Sequence, residues 1–324
     1  MFLKASRQHL RGNRLISHPA PLELSKVMTS AQRLGFFAAL GAYTIWGLLP
    51  LYFKALEHVR PEDVLAHRVI WSVPTGLLLI IIARNWRDVR EALTLKRFAW
   101  LTVSGVLIGA NWWIYIWAVG QDRVMEASLG YYINPLLNVL LGLVIFKETL
   151  RPFQWLAVAV AAIGVTIMTL ALGRFPWVAL SLAGTFGIYS IVRKQLQVDS
   201  RAGFIIEVAV LFFPAMVWLA TREVPLFQGG GWDVPLLLAA GPITAIPLIL
   251  FALAAKRLAL STIGMMQYIG PTLQFIVALA LGEAFGVSHA IGFVFIWTAL
   301  IVFTADSVRG DAKARRLARA AEIT

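Results

Sequence analysis

Ten apolar runs of about 20 residues, separated by short polar segments, leave this chain little choice of fold. They lie near Leu34–Phe53, Val64–Ala83, Trp100–Val119, Ala127–Phe146 and Phe153–Leu172. The second five lie near Phe175–Val192, Gly203–Ala220, Val234–Ala255, Ser261–Leu281 and Ser288–Thr304. With 59% hydrophobic and 14% charged residues, the chain exposes more apolar surface than water can solvate, so lipid is its solvent. In lipid every backbone polar group must be satisfied internally, which makes runs of this length helices. Barrel strands would alternate over about ten residues, and these runs do not. The fold class expected is an all-α membrane protein of ten transmembrane helices.

Lysine and arginine set the topology. Lys4, Arg7, Arg11, Arg14, Lys26 and Arg33 precede the first span, and Arg84, Arg87, Arg90, Lys96 and Arg97 follow the second. Lys147, Arg151, Arg193, Lys194, Arg201, Lys256, Arg257 and the tail from Arg309 to Arg319 fall on the same side. Only Lys54, Arg60, Arg123, Arg174 and Arg222 fall on the other, and Arg68 lies inside a span. Both termini are therefore expected in the cytoplasm. The net charge of +12 is scattered over these segments and forms no single face for nucleic acid. Residues 1–33 hold no apolar stretch of the kind a signal peptide needs, about 7–15 residues. They read either as a disordered extension or as a segment ahead of a start at Met28. The basic tail, 305–324, reads as a solvated anchor against anionic lipid. No cysteine is present, so disulfides and thiolate chemistry are excluded.

Five spans per half invert the second half, 175–304, relative to the first, 34–172. Echoes support the division. Trp46-Gly47 matches Phe186-Gly187, while His67 and Pro74 fall on Glu207 and Pro214. Tyr132-Ile133-Asn134-Pro135 matches Tyr268-Ile269-Gly270-Pro271, and each of those spans ends in a glutamate, Glu148 and Glu283. Inverted repeats of this kind build secondary transporters, with the binding site at the repeat interface. Pro135 and Pro271 each remove a backbone bond and should kink their helices at equivalent depths.

Polar residues form stripes at helical spacing. Span 4 carries Glu126, Gly130, Asn134, Asn138 and Gly142; span 9 carries Gly264, Gln267, Pro271 and Gln274; span 3 carries Ser104, Asn111, Tyr115 and Ala118. Such stripes avoid lipid, and they serve either as interhelical glue or as the lining of a cavity. Three of them on related helices favour a cavity bounded by spans 1, 3, 4, 6, 8 and 9. Arg68, about 6–9 Å deep, is either a snorkelling anchor or an attractor for an anionic group. Glu207 divides between proton coupling and pairing with a neighbouring helix, and Glu126 is expected at the interface. Trp46 and Tyr115 share faces with Gly and Asn, which suits amphipathic or aromatic ligands. No phosphate-binding loop, His-Glu-x-x-His or Gly-x-Ser-x-Gly occurs.

The segments GAYTIWGLLPLYFKAL, VLAHRVIWS, EASLGYYINPLLNVLLG and QYIGPTLQF resemble the RarD (chloramphenicol-sensitive protein) branch of EamA-type permeases, in the drug/metabolite transporter superfamily. The likeness covers residues 34 to 306. It implies two EamA repeats, a bacterial inner-membrane location and efflux of metabolites or drugs through a central cavity. Its branch-typical positions here are Trp46, His67, Arg68, Asn111, Tyr132, Asn134, Pro135, Glu207, Tyr268 and Pro271. Residues and resemblance together give Trp46, Asn111, Tyr115, Tyr132, Asn134, Asn138, Gln267, Tyr268 and Gln274 as cavity candidates. His67, Arg68 and Glu207 are the candidates for coupling or gating. The expected partners are a small-molecule substrate, membrane lipid and protons as coupling ion. No metal, cofactor or catalytic machinery is expected. The rival readings are a receptor or scaffold, for which every loop is short, and a lipid-modifying enzyme, for which His67 with Glu57, Glu62 and Asp63 is the one cluster to name.

Overall fold

The computed structural model describes residues 28–322 apart from 122, 223–230 and 282–285, so Glu283 lies outside the described residues. The chain forms α1 (Ser30–Ala55), α2 (Pro61–Ala83), α3 (Trp86–Ala92), α4 (Leu95–Gly120), α5 (Val124–Ile145) and α6 (Pro152–Ala171). There follow α7 (Trp177–Gln195), α8 (Ser200–Ala220), α9 (Asp233–Ala255), α10 (Leu260–Gln267), α11 (Ile269–Ala280) and α12 (Val287–Glu322). No strand occurs among the described residues. Within them nine stretches are long and apolar enough to cross a membrane, one of them running through α10 and α11 together. The remaining span of the sequence reading is α7. It is 19 residues long and carries Ser181, Thr185, Ser190, Arg193 and Lys194, which lower its apolarity. The short α3 lies in the basic segment after the second span.

Helix ends follow local chemistry. Thr29 and Gln32 form a reciprocal capping box that starts α1. Proline opens α2 and α6, where its missing N–H is no loss. The Asp199 carboxylate accepts from the Arg201 and Ala202 amides at the start of α8. Arg84 ends α2 in the left-handed region, φ 53°.

The two halves interleave within Met28–Ser307. α1 packs on α9 and α11, α2 on α8 and α9, α4 on α7 and α8, and α5 on α7 and α10. Lipid tails are as apolar as leucine, so close packing, not hydrophobic exclusion, must hold such helices together. Glycines allow the approach. A Cβ on Gly47 would stand 2.6 Å from Leu273 on α11, and one on Gly187 would stand 2.9 Å from Leu141 and 3.1 Å from Leu137 on α5. Thus the α1–α11 and α7–α5 crossings use equivalent residues of the two halves. A second pair joins Gly105 to the Glu207 backbone and Gly241 to the Trp71 backbone. Packing therefore sets Glu207 opposite the role of Trp71, one turn beyond the His67 of the sequence match. Outside this core α6 and α12 meet at Gly164 and Gly292. Phe37, Ile82, Val144, Leu170 and Ile301 form part of the exposed apolar surface that lipid would cover.

Helix α5 is fixed at both ends by carboxylates. Glu126, in the first turn of α5 and fully buried, accepts from the Val178 amide at the start of α7 (2.8 Å). It also pairs with Arg123 (2.7 Å) and Arg174 (3.2 Å). Beyond the other end, Lys147 turns left-handed (φ 51°) and the Glu148 amide bonds back to Gly142 O. The Glu148 carboxylate then accepts from the amides of Leu260 and Ser261 and the Ser261 hydroxyl at the start of α10, at 2.7–2.9 Å. Gly142 leaves room for it, since a Cβ there would lie 2.6 Å from the carboxylate. Both carboxylates thus satisfy amide donors that a helix start leaves free.

α5 and α10 cross where Gly264 lies on the carbonyl of Pro135, and a Cβ would stand 2.5 Å from that oxygen. A Gly264→Ala variant should unfold at lower temperature in detergent, by an overpacking penalty of about 1–3 kcal/mol. Gly184→Ala, where a Cβ meets nothing within 4 Å, should leave the midpoint unchanged or raise it. Equal midpoints for the two variants would contradict the crossing.

Candidate functional site

A cavity of about 320 Å³ lies between the halves. Its wall starts at the α1–α2 turn, with Leu56, Glu57, Val59 and Pro61, and descends to Tyr43 and Leu248 in mid-bundle. α1, α2, α4, α5, α7, α9, α10 and α11 all contribute. Spans 1, 3, 4, 6, 8 and 9 therefore reach it as expected, and span 2 adds Val64, Leu65 and Arg68.

Of the candidate residues, Trp46, Arg68, Asn111, Tyr115, Asn134, Gln267, Pro271 and Gln274 line this wall. Several have half of their polar capacity committed. Asn111 Nδ2 donates to Leu182 O and Thr185 Oγ1, both at 2.8 Å. Gln267 Oε1 accepts from Asn138 Nδ2 at 2.9 Å, and Gln274 Nε2 donates to Trp46 O at 3.2 Å. The Asn134 Oδ1 is buried without a hydrogen bond. A wall of aromatic and aliphatic groups with a few free amide edges suits a small, partly apolar molecule.

Tyr132, Asn138, Tyr268, His67, Glu207 and Pro135 lie off the wall, and packing explains each. Asn138 is buried against Gln267 and acts as glue between α5 and α10. Tyr131, next along the helix, faces the cavity in place of Tyr132. Tyr132 packs with Phe293, and Tyr268 donates its hydroxyl to Tyr132 O at 3.2 Å. His67 is buried, with Nδ1 accepting from Trp71 Nε1 at 3.1 Å. α5 runs unbroken through Pro135, whereas α10 and α11 part at Tyr268, three residues before Pro271. Each proline removes the N–H that an unbroken helix would direct to the carbonyl four residues earlier. Those carbonyls belong to Tyr131 and Gln267, both wall residues.

Below the cavity, on the side where α1 begins, aromatic rings fill the bundle. Phe251 contacts Tyr43, Trp46, Phe186 and Tyr189 with centroids 5.2–6.5 Å apart. Tyr43, Tyr189 and Phe251 are fully buried. On the same side Glu207 forms an ion pair with Arg193 (3.2 Å) and accepts from Ser104. That network joins α4, α7 and α8. A Cβ on Gly203 would collide with the Arg193 guanidinium, so glycine there makes the space for it. Lys256, just past α9, is lowered to about 8 by burial first and then by the charge of Arg193.

Sequence reasoning missed Arg193, because its place near a span end makes it look like one more topological charge. It also missed Phe53 and Thr244, which touch Arg68. No residue pattern marks Thr244; only the fold brings it to α2.

A sequence model of the EamA-like transporter family matches residues 33–170. An uncharacterized transporter from Vibrio cholerae is 46% identical, over 87% of this chain and 95% of its own. Protein RarD from Salmonella typhimurium is 43% identical, over 85% and 96%. The chloramphenicol-sensitive protein RarD of Pseudomonas aeruginosa is 34% identical, over 85% and 95%. A crystal structure covering 86% of this chain and 99% of its own superposes with a TM-score of 0.67 at 23% identity, a likeness of fold alone. With relatives this similar along nearly their whole lengths, the chain belongs to the RarD branch of the EamA-like transporter family.

Proposed function

We propose that this protein is a secondary transporter that exports small, partly apolar metabolites by alternating access. The observation that carries this reading is the cavity, lined by helices of both halves and ending on a floor of packed aromatic rings. A site between two interleaved halves can be offered to either side by rocking one against the other. The charge asymmetry of the loops supports an α1–α2 turn outside the cell, and in that orientation the wall reaches the outer face and the floor is closed towards the cytoplasm. The crossings at Gly47 and Gly187 are close enough to transmit such a motion between halves. The names of the relatives, transporters among them, support the same class.

Proton coupling is assigned to Glu207. Its carboxylate joins α8 to Arg193 on α7 and Ser104 on α4 at the closed end, with Lys256 beyond α9 as the next facing charge. Protonation would remove the charge that holds Arg193 and loosen this end.

In cells, the medium of an overexpressing strain should contain a compound class that a deletion strain lacks. Identical metabolite profiles would contradict export. In proteoliposomes, Glu207→Gln should abolish flux driven by a pH gradient while leaving exchange without a gradient measurable. Unchanged gradient-driven flux would remove Glu207 from the coupling.

A further inference from the structure

We propose that Arg68 makes the outer half of the cavity a subsite for a single negative charge, so that the substrates are organic monoanions, carboxylates with an aromatic-sized apolar body. This deepens the transport reading and rests on it for the word substrate, though the binding claim stands on geometry alone.

Arg68 lies seven residues after Pro61, about 10 Å along α2 at the rise of an α-helix. A guanidinium at that depth is unfavourable unless it is paired, and it is found in membrane helices chiefly where it serves a site. Its partners here are neutral. Nε donates to Thr244 Oγ1 at 3.1 Å, and its carbon lies 4.7 Å from the Trp112 ring centre and 5.7 Å from that of Phe53. Among the described residues no carboxylate comes within ion-pair distance, and neither terminal nitrogen makes a hydrogen bond. The rings and Thr244 hold the fork in place and leave its outer edge for a ligand. Planar carboxylate matches that edge in a bidentate way.

Buried acids of the bundle are engaged with other partners. Asp63 accepts from Trp218 and faces Arg222, Glu126 is held by Arg123 and Arg174, and Glu207 is held by Arg193. Glu57, at the upper rim of the wall, is exposed and paired with Lys54. Among the described residues Arg68 is the one lysine or arginine on the wall, so one negative charge is compensated and a second is not. A phosphate dianion or a cation therefore fits less well than a monocarboxylate. Beyond Arg68 the wall continues as Trp46, Trp112, Tyr115 and Tyr131, which would take an apolar or aromatic body.

The test uses the full-length chain in nanodiscs and equilibrium dialysis with three probes of one shape: 3-phenylpropionate, 3-phenylpropanamide and 3-phenylpropylammonium. The acid should bind at least about tenfold tighter than the amide, as expected of hydrogen bonds to a charged group, and the ammonium should bind weakest. Arg68→Gln should remove the preference for the acid while the amide still binds. Thr244→Val, which keeps the guanidinium but frees Nε, should reduce the preference in part and covers the case in which Arg68→Gln does not fold. Equal binding of acid and amide, a preference that survives in Arg68→Gln, or no binding of any probe would each overturn the subsite. Flux assays with the same three probes in proteoliposomes separate the two readings. Arg68-dependent binding without flux of the acid would leave the subsite standing and remove transport. Flux of other compounds with no preference for the acid would do the reverse.

Discussion

The start of a helix leaves backbone amides without partners, and inside a membrane water is not there to supply them. The structure meets that constraint at α7 and α10 with carboxylates from the two ends of a single helix. Glu126 accepts from the start of α7 and Glu148 from the start of α10, so α5 is tied to the second half on both sides of the membrane unit. Each carboxylate also gathers basic residues: Arg123 and Arg174 at one end, Lys194 at the other. Between the two ties α5 crosses α10 at Gly264 and α7 at Gly187, where glycine leaves room for the carbonyl of Pro135 and for the side chains of Leu137 and Leu141.

That arrangement explains why the polar stripe of span 4 serves several purposes at once. All five of its members are buried, as a stripe facing protein should be. Glu126 caps, Gly130 admits α7, Asn134 faces the cavity, Asn138 bonds to Gln267, and Gly142 makes room for Glu148. A membrane helix gains little from burying apolar surface, so polar contacts and close approach carry its packing. On the proposed function, the two ends of the bundle differ in kind: aromatic rings and the Glu207–Arg193 pair close one, while the cavity wall runs to the other.

The helices were legible in the sequence because lipid imposes one simple pattern, and α7 can carry serines, a threonine and a basic end because it is packed between α4 and α5. Which polar residues shared a face was legible from spacing alone. Which of them met space and which met a neighbour was not, because that depends on partners far along the chain. Asn138 and Gln267 are 129 residues apart, and Ser104 and Glu207 are 103 apart. Adjacent tyrosines point about 100° apart on a helix, so the choice between Tyr131 and Tyr132 needed the position of α12 and its Phe293. Arg193 could not be recognised at all, since its partner is on another helix and its space comes from Gly203.

On the proposed function, one cavity serves both faces of the membrane in turn. The chain has no cysteine, so Leu49→Cys would place a single thiol on the cavity wall. A membrane-impermeant thiol reagent should label it in right-side-out vesicles and also in inside-out vesicles, with the balance shifting when a transported compound is added. Labelling from one face only, under every condition, would show a pocket that never changes sides and would contradict alternating access.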